Sequence, residues 1–271
     1  IFIGGVSEYH LREQGIKSDY DRIVRAEYEA TQGETKAVID RVKGCHRKIN
    51  SNETWKGVER YIKERLYGNC RSLNQAHLVN AVLSFAVLRS ADLHSADLRD
   101  ADLFNAYLSD AVLTFADLRD ADLRNADLSD ADLFNAYLSS AVLTFADLRD
   151  ADLRDTDLRD ADLRDTDLRD ADLRDADLRY ANLSSANLSS ADLSSAILLK
   201  TDFRESRNLT MDQLSGENQP YLCNVALPST ITNIDPNRDC DKISQLLSDR
   251  YLIPIERAQQ IVEEAKQKQW E

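Results

Sequence analysis

From Leu73 to Phe203 every fifth residue is large and apolar: Leu73, Leu78, Leu83 and so on to Leu193, Leu198 and Phe203, 27 positions without a break. Two residues before each from Leu78 onward sits a small one, alanine almost everywhere from Ala76 to Ala196, with threonine at Thr156, Thr166 and Thr201. The positions between are mostly polar. A fixed period of this kind outranks any local propensity. Period five fits neither regular structure. On an α-helix, residues five apart are rotated by about 140°, so the leucines would scatter around the cylinder. On a flat strand they would alternate between faces, and a coiled coil needs a period of about 3.5. The leucines share one core only if the chain turns a corner once per unit, with Ala and Leu facing inward and the other three residues outward.

The flanks follow a different pattern. Within 1–70, apolar residues recur at three- and four-residue spacing, which predicts amphipathic helices. One follows Ser18 and carries Ile23, Val24 and Tyr28; one opens at Gly33 and carries Val38, Ile39 and Val42; one begins at Asn52, carries Trp55, Val58, Tyr61, Ile62 and Leu66, and closes at Gly68. After Phe203 the register lapses at 210–216, where one helical turn is expected. Two further units are expected at Leu222 and Leu227. Helices are expected over 239–250 and 254–268, the second with Pro254 in its first turn. Its apolar face, Ile255, Ala258, Ile261, Val262 and Ala265, suits a cap or a dimer contact, so a monomer or a homodimer through this helix is expected.

The units Ala121-Asp122-Leu123-Arg124-Asn125 and Ala171-Asp172-Leu173-Arg174-Asp175 resemble those of the pentapeptide-repeat family, most closely its cyanobacterial members. The resemblance spans about half the chain. It implies a mainly β fold, a right-handed quadrilateral β-helix with four units, or 20 residues, per coil. With rungs roughly 4.8 Å apart, the units build almost seven coils, a rod on the order of 30 Å long. No unit folds alone, because stacking supplies the core. The open ends expose apolar cross-sections and unpaired backbone, so they need covering. The expected organisation is an α-helical cap at 1–70, the β-helix at 71–205, and a final partial coil with capping helices at 206–271.

Charge sharpens this picture. The net charge of −14 is concentrated in residues 71–205, with 14 Lys/Arg against 27 Asp/Glu, a balance of −13. Such a surface repels nucleic acid and anionic membranes, so direct nucleic-acid binding is not expected. No run approaches the ~20 apolar residues of a membrane span. Glycine is absent between Gly68 and Gly216, and the four prolines lie at Pro220, Pro228, Pro236 and Pro254. Cys45, Cys70, Cys223 and Cys240 lack the short spacing of a zinc or redox site. Buried free thiols in a cytoplasmic protein are one reading; a Cys223–Cys240 or Cys45–Cys70 disulfide is the other. Ile1 is not a start methionine, which leaves an upstream signal segment open.

Candidate chemistry is sparse. His10, His46, His77 and His94 have no metal-ligand spacing, and no phosphate loop or nucleophile motif occurs. No enzyme activity, cofactor or metal is expected. Two outward patterns remain. Between Arg149 and Arg179 the units are nearly pure Arg-Asp-Ala/Thr-Asp-Leu. Residues twenty apart stack, so Asp152, Arg154, Asp172 and Arg174 form a charge lattice on one side, and Asp157, Arg159, Asp177 and Arg179 form one on the next. The second pattern is a thirty-residue super-repeat: Ala81-Val82-Leu83-Ser84-Phe85 recurs as Ala111-Val112-Leu113-Thr114-Phe115 and Ala141-Val142-Leu143-Thr144-Phe145. Thirty residues are one and a half coils. Val112, Phe115 and Phe134 are therefore expected on one face, and Val82, Phe85 and Phe104 on the opposite one, with Val142 and Phe145 further along. Tyr107 and Tyr137 fall on the remaining two. Outward aromatics on an Asp/Arg surface are candidate partner contacts.

Two functions follow. One is a non-catalytic module, a rigid acidic rod that presents its faces or caps to a protein partner not named by the sequence. The other comes from the resemblance: some family members are similar in size and charge to duplex DNA and bind DNA gyrase. A DNA mimic is the alternative, although arginine interleaves the acids here. A role in cyanobacterial differentiation or stress response is a third, weaker implication of the resemblance.

Overall fold

The computed structural model describes residues 73–270. The helices expected within 1–70, together with Cys45 and Cys70, lie outside the described residues. From Leu73 onward the chain coils with a period of 20. Parallel bridges join His77 to Asp97, Val82 to Asp102, Val87 to Tyr107 and Asp92 to Val112, and continue in the same step to Asn187 and Arg207. Four such columns are four sides.

One unit shows how its backbone is satisfied. Ala121 N–H donates to the Leu118 carbonyl at 3.1 Å, closing a turn, and Asp122 N–H donates to the coil before, at Ala101, 2.9 Å away. Leu123 and Asn125 donate to the coil after, at Val142 (2.7 Å) and Thr144 (3.0 Å). The fifth donor, Arg124 N–H, has no backbone partner; Asp122 Oδ1 accepts it at 3.1 Å. Buried backbone donors must be paired, so an Asp or Asn before the leucine, where one stands, completes the unit. Asn182 serves Ser184 in the same way at 3.0 Å.

Every corner needs a left-handed residue. From Gln75 to Glu205 the residue two after each core position has φ between 52° and 63°, which the third residue of a type II turn requires. None is glycine. Asp, Asn and Ser hold most corners, and Asp and Asn tolerate this region through local hydrogen bonding. Phe85, Phe115, Phe145 and Tyr180 stand at the same φ without that compensation.

Inside the coils the leucines stack. Leu93 through Leu198 are at most 1 % exposed at each five-residue step, each burial worth roughly 1.5–3 kcal/mol as an upper bound. Thr156 and Thr166 replace alanine in this core without a lost hydrogen bond, because their hydroxyls donate to the Leu153 and Leu163 carbonyls at 2.6 and 2.7 Å.

At the C-terminal end strand β1 (Ile197–Leu199) pairs in parallel with β2 (Tyr221–Cys223), Ile197 facing Tyr221. The step has grown from 20 to 24. Leu222 is buried in the core, and Leu227 lies half-buried against it, the places expected for two further units. The inserted segment supplies the closure. A 3-10 turn at Asp212–Leu214 buries Leu214, and Leu209, Ile231 and Ile234 join the same core. Arg238 ties the segment down by donating to the Leu214 and Pro220 carbonyls, both at 2.6 Å.

The two C-terminal helices, α1 (Cys240–Tyr251) and α2 (Ile255–Gln267), sit where they were not expected. They do not cover the open end. They pack on the flank of the last coils, where Ile243, Leu247, Ala258, Val262 and Ala265 form a second core with Ile197, Leu199 and Cys223. The cause is local: Ile197 and Leu199 occupy outward positions that carry Asp and Arg elsewhere, so an apolar strip on the flank demands cover. A Cys223–Cys240 disulfide, Cα–Cα 4.8 Å, pins α1 to β2; of the two readings the sequence left open for this pair, the structure has the bond. Pro254 is the N-cap of α2, one position before the first turn.

Candidate interaction surface

Two decorations cover the outward positions, one charged and one aromatic. In the charged units each arginine folds back on its own aspartate. Arg124 Nε donates to Asp122 Oδ1 at 2.8 Å, and Arg154 Nε to Asp152 Oδ1 at 2.8 Å; their terminal nitrogens take the second oxygen, a bidentate fork. Several of these arginines also reach the next coil. Arg154 Nε lies 3.6 Å from Asp172, Arg159 Nε 3.9 Å from Asp177, and Arg174 Nε 3.7 Å from Asp192. The lattice residues are therefore cross-linked along their columns. The Arg124 guanidinium beside Asp122 holds its carboxyl below the usual carboxylate value, as Arg99 does for Asp97 and Arg169 for Asp167.

With these acids paired, the surplus negative charge lies on the left-handed corners. Asp110, Asp130, Asp150 and Asp170 are exposed and share one edge of the rod, one per coil. Two of the lattice positions differ in setting from the rest. Asp152, Arg154, Asp172 and Arg174 remain on an open side. Asp177 and Arg179 are 1 % and 5 % exposed, beneath Tyr251. Its hydroxyl donates to Asp177, and its ring lies 4.9 Å from the Arg179 guanidinium and 5.9 Å from that of Arg159. Burial and then the Asp177 carboxylate push the Tyr251 hydroxyl well above its ordinary value. Arg250 reaches Asp155 at 3.3 Å. This part of the lattice is a seat for α1.

The aromatics stand where the coil geometry puts them. Val112, 37 % exposed, shares a face with the edge-on pair of Phe115 (45 % exposed) and Phe134, whose ring centroids are 5.9 Å apart. Phe85 and Phe104 form the same edge-on pair at 5.7 Å on the opposite side, beside Val82. Val142 shares the column of Val82, and Phe145 beyond it is 62 % exposed. Tyr107 and Tyr137 occupy the other two columns; the Arg89 guanidinium lies 5.3 Å from the half-buried Tyr107 ring, and Tyr137 is exposed. His94 was absent from the sequence-based set. Its ring meets Phe115 edge-on at 5.7 Å, and Nδ1 lies 2.5 Å from Thr114 Oγ1. The signal was its place one coil below Thr114. Among the described residues no group of His, Cys, Asp and Glu is arranged to hold a metal ion, and no helix is long and apolar enough to cross a membrane.

A coil of five-residue units with all side-chain chemistry on its outer faces is a repeat solenoid of the β-helix class. The chain belongs to the pentapeptide-repeat family: the model for pentapeptide repeats matches in 8 copies across residues 72–103, 101–139, 136–175 and 171–207. Pentapeptide-repeat proteins fold as right-handed quadrilateral β-helices, and they are generally structural or interaction modules. Among solved structures the chain is similar to HetL, a pentapeptide-repeat protein involved in heterocyst differentiation regulation from the cyanobacterium Nostoc sp. strain PCC 7120, at 30 % identity over 60 % of this chain and 83 % of that one, TM-score 0.40. It is similar to Rfr23 from the cyanobacterium Cyanothece 51142 at 32 % identity over 39 % and 63 %, TM-score 0.26. A trypsin-treated form of QnrB1, a plasmid-mediated fluoroquinolone resistance protein, matches at 19 % identity over 67 % and 88 %, TM-score 0.35. No curated protein matches the chain.

Proposed function

We propose that this chain is a non-catalytic interaction module, a rigid acidic rod that presents its Val–Phe faces to a protein partner. The observation that carries this reading is a pair of local costs in one unit. Val82, Val112 and Val142 stand where the unit calls for a side-chain acceptor, and valine has none. Phe85, Phe115 and Phe145 stand at left-handed corners, where a bulky L-residue is strained by roughly 1–2 kcal/mol. Each site would be more stable with the Asp, Asn or Ser found in neighbouring units. Features that lower stability concentrate where function requires them. The segments 1–70 and 206–271 are read as flanking modules, the second closing the rod through its inserted segment and clasping its flank through α1 and α2.

A pull-down from native lysate, repeated with Phe115→Ser and Phe134→Ser, tests this. Loss of specific partners is expected, and an unchanged set removes the aromatic face from consideration. The DNA-mimic reading draws on the acidic corner edge, but forked arginines neutralise most of the intervening acids. A gyrase supercoiling assay decides it: inhibition by this protein would favour mimicry over the aromatic faces. The Cys223–Cys240 disulfide weighs against the cytoplasmic placement, since such bonds persist in oxidising compartments.

A further inference from the structure

The two aromatic patches stand in a fixed geometric relation. Twenty residues return the chain to the same side, so thirty carry it one coil and a half turn onward. Val112, Phe115 and Phe134 are thus Val82, Phe85 and Phe104 rotated half a revolution about the rod axis and raised by about 7 Å. The ring geometry is preserved along with the letters, although Val82 and Phe85 are half-buried where Val112 and Phe115 are exposed. Both phenylalanine pairs meet edge-on at an interplanar angle of 86°. The Arg124 guanidinium covers the Phe104 ring at 5.5 Å, and Arg154 covers Phe134 at 5.3 Å. The Phe104 and Phe134 N–H groups are both held by an aspartate two residues back, at 3.1 Å. Each patch also lies along an edge with acidic corners: Asp110 and Asp130 stand beside one, and the matching corners of the other are Asn80 and Asp100, with Asp120 one coil further on.

We infer that the rod is bivalent: each of two opposite faces takes one copy of the same partner segment, a basic stretch with apolar anchors. This rests on the interaction-module reading above. The valine and the phenylalanine edges receive the anchors, and the adjacent corner aspartates receive lysine or arginine. Charge decides against the other occupants. A second copy of this chain would bring acidic edge against acidic edge, and a nucleic acid would meet the same repulsion. The patches face away from each other, so one bound segment does not obstruct the other.

The test is a calorimetric titration of the full chain with a ten-residue peptide alternating lysine with leucine and tryptophan. Two equivalent sites per rod are expected. V112D with F115N installs residues that other units carry at these positions, so the fold is kept, as a melting curve verifies; it should leave one site. V82D with F85N should remove the other, and all four together should weaken binding at least tenfold. A single site abolished by V112D/F115N and untouched by V82D/F85N would overturn bivalency while leaving the interaction surface intact. No binding, or two sites indifferent to all four substitutions, would overturn both.

Discussion

Asp122 makes two contacts with one carboxylate: it accepts the Arg124 N–H and grips the Arg124 guanidinium. Replacing it with alanine leaves a donor without its partner, and Asp122→Ala should lower stability by about 1 kcal/mol, read as a shift in the urea midpoint. Asp122→Asn should cost less, because Asn182 already fills this place for Ser184. The opposite sign is expected at the corner of the aromatic unit. Phe115→Asn should raise the midpoint by about 1 kcal/mol if that ring is there for contact and not for the fold. Acid acts through the same carboxylates. The folded values of Asp97, Asp122 and Asp167 lie below the ordinary one, chiefly through the arginine hydrogen bonds. In the window between the folded and unfolded values the unfolded chain binds more protons, so stability rises with pH there. The contribution is complete above the unfolded value of about 4 and is lost as pH falls through the folded values, which urea midpoints measured from pH 6 down to pH 2.5 will follow. The preference for Asp or Asn before most of the leucines was plain in the letters. Its reason was not, because the orphan N–H is visible only once the path of the corner is known.

The helix pair α1–α2 is held by a core of small and branched residues and by one covalent bond. Reducing Cys223–Cys240 releases a constraint on a loop of separation 17, for which chain entropy suggests about 3 kcal/mol. Amide exchange should therefore quicken across 240–267 on reduction while Leu93–Leu183 stay protected; uniform quickening would mean that the clasp and rod unfold as one. Both helices were legible from their periodicity, but their docking side was not. The clue lay outside them, at Ile197 and Leu199, where an apolar pair interrupts the Asp-Leu-Arg pattern. Tyr251 and Arg250 were equally silent, since their partners Asp177 and Asp155 lie far off in sequence and meet them only through the docking of α1. On the aromatic faces, by contrast, period arithmetic alone located each phenylalanine, because a strict 20-residue coil turns sequence spacing into an angle.

In the whole molecule each coil touches only its neighbours, so stability is close to a sum of stacked interfaces. Leu138→Ala, at a position of 0 % exposure in mid-rod, should cost about 2–5 kcal/mol, against distinctly less for Leu83→Ala, which is only half-buried. Comparing the two denaturation midpoints checks this, and equal losses would mean the rod does not melt from its weaker end. The coil length has one more consequence, for how such a surface can be acquired. All units share one inward pattern, so a gene can copy any whole number of them without disturbing the core. Copying twenty codons would set the new feature directly above the old one and lengthen a stripe. Copying thirty throws it to the far side. Length alone, reckoned against the coil, decides whether a copied stretch widens an existing contact or opens a new one facing the other way.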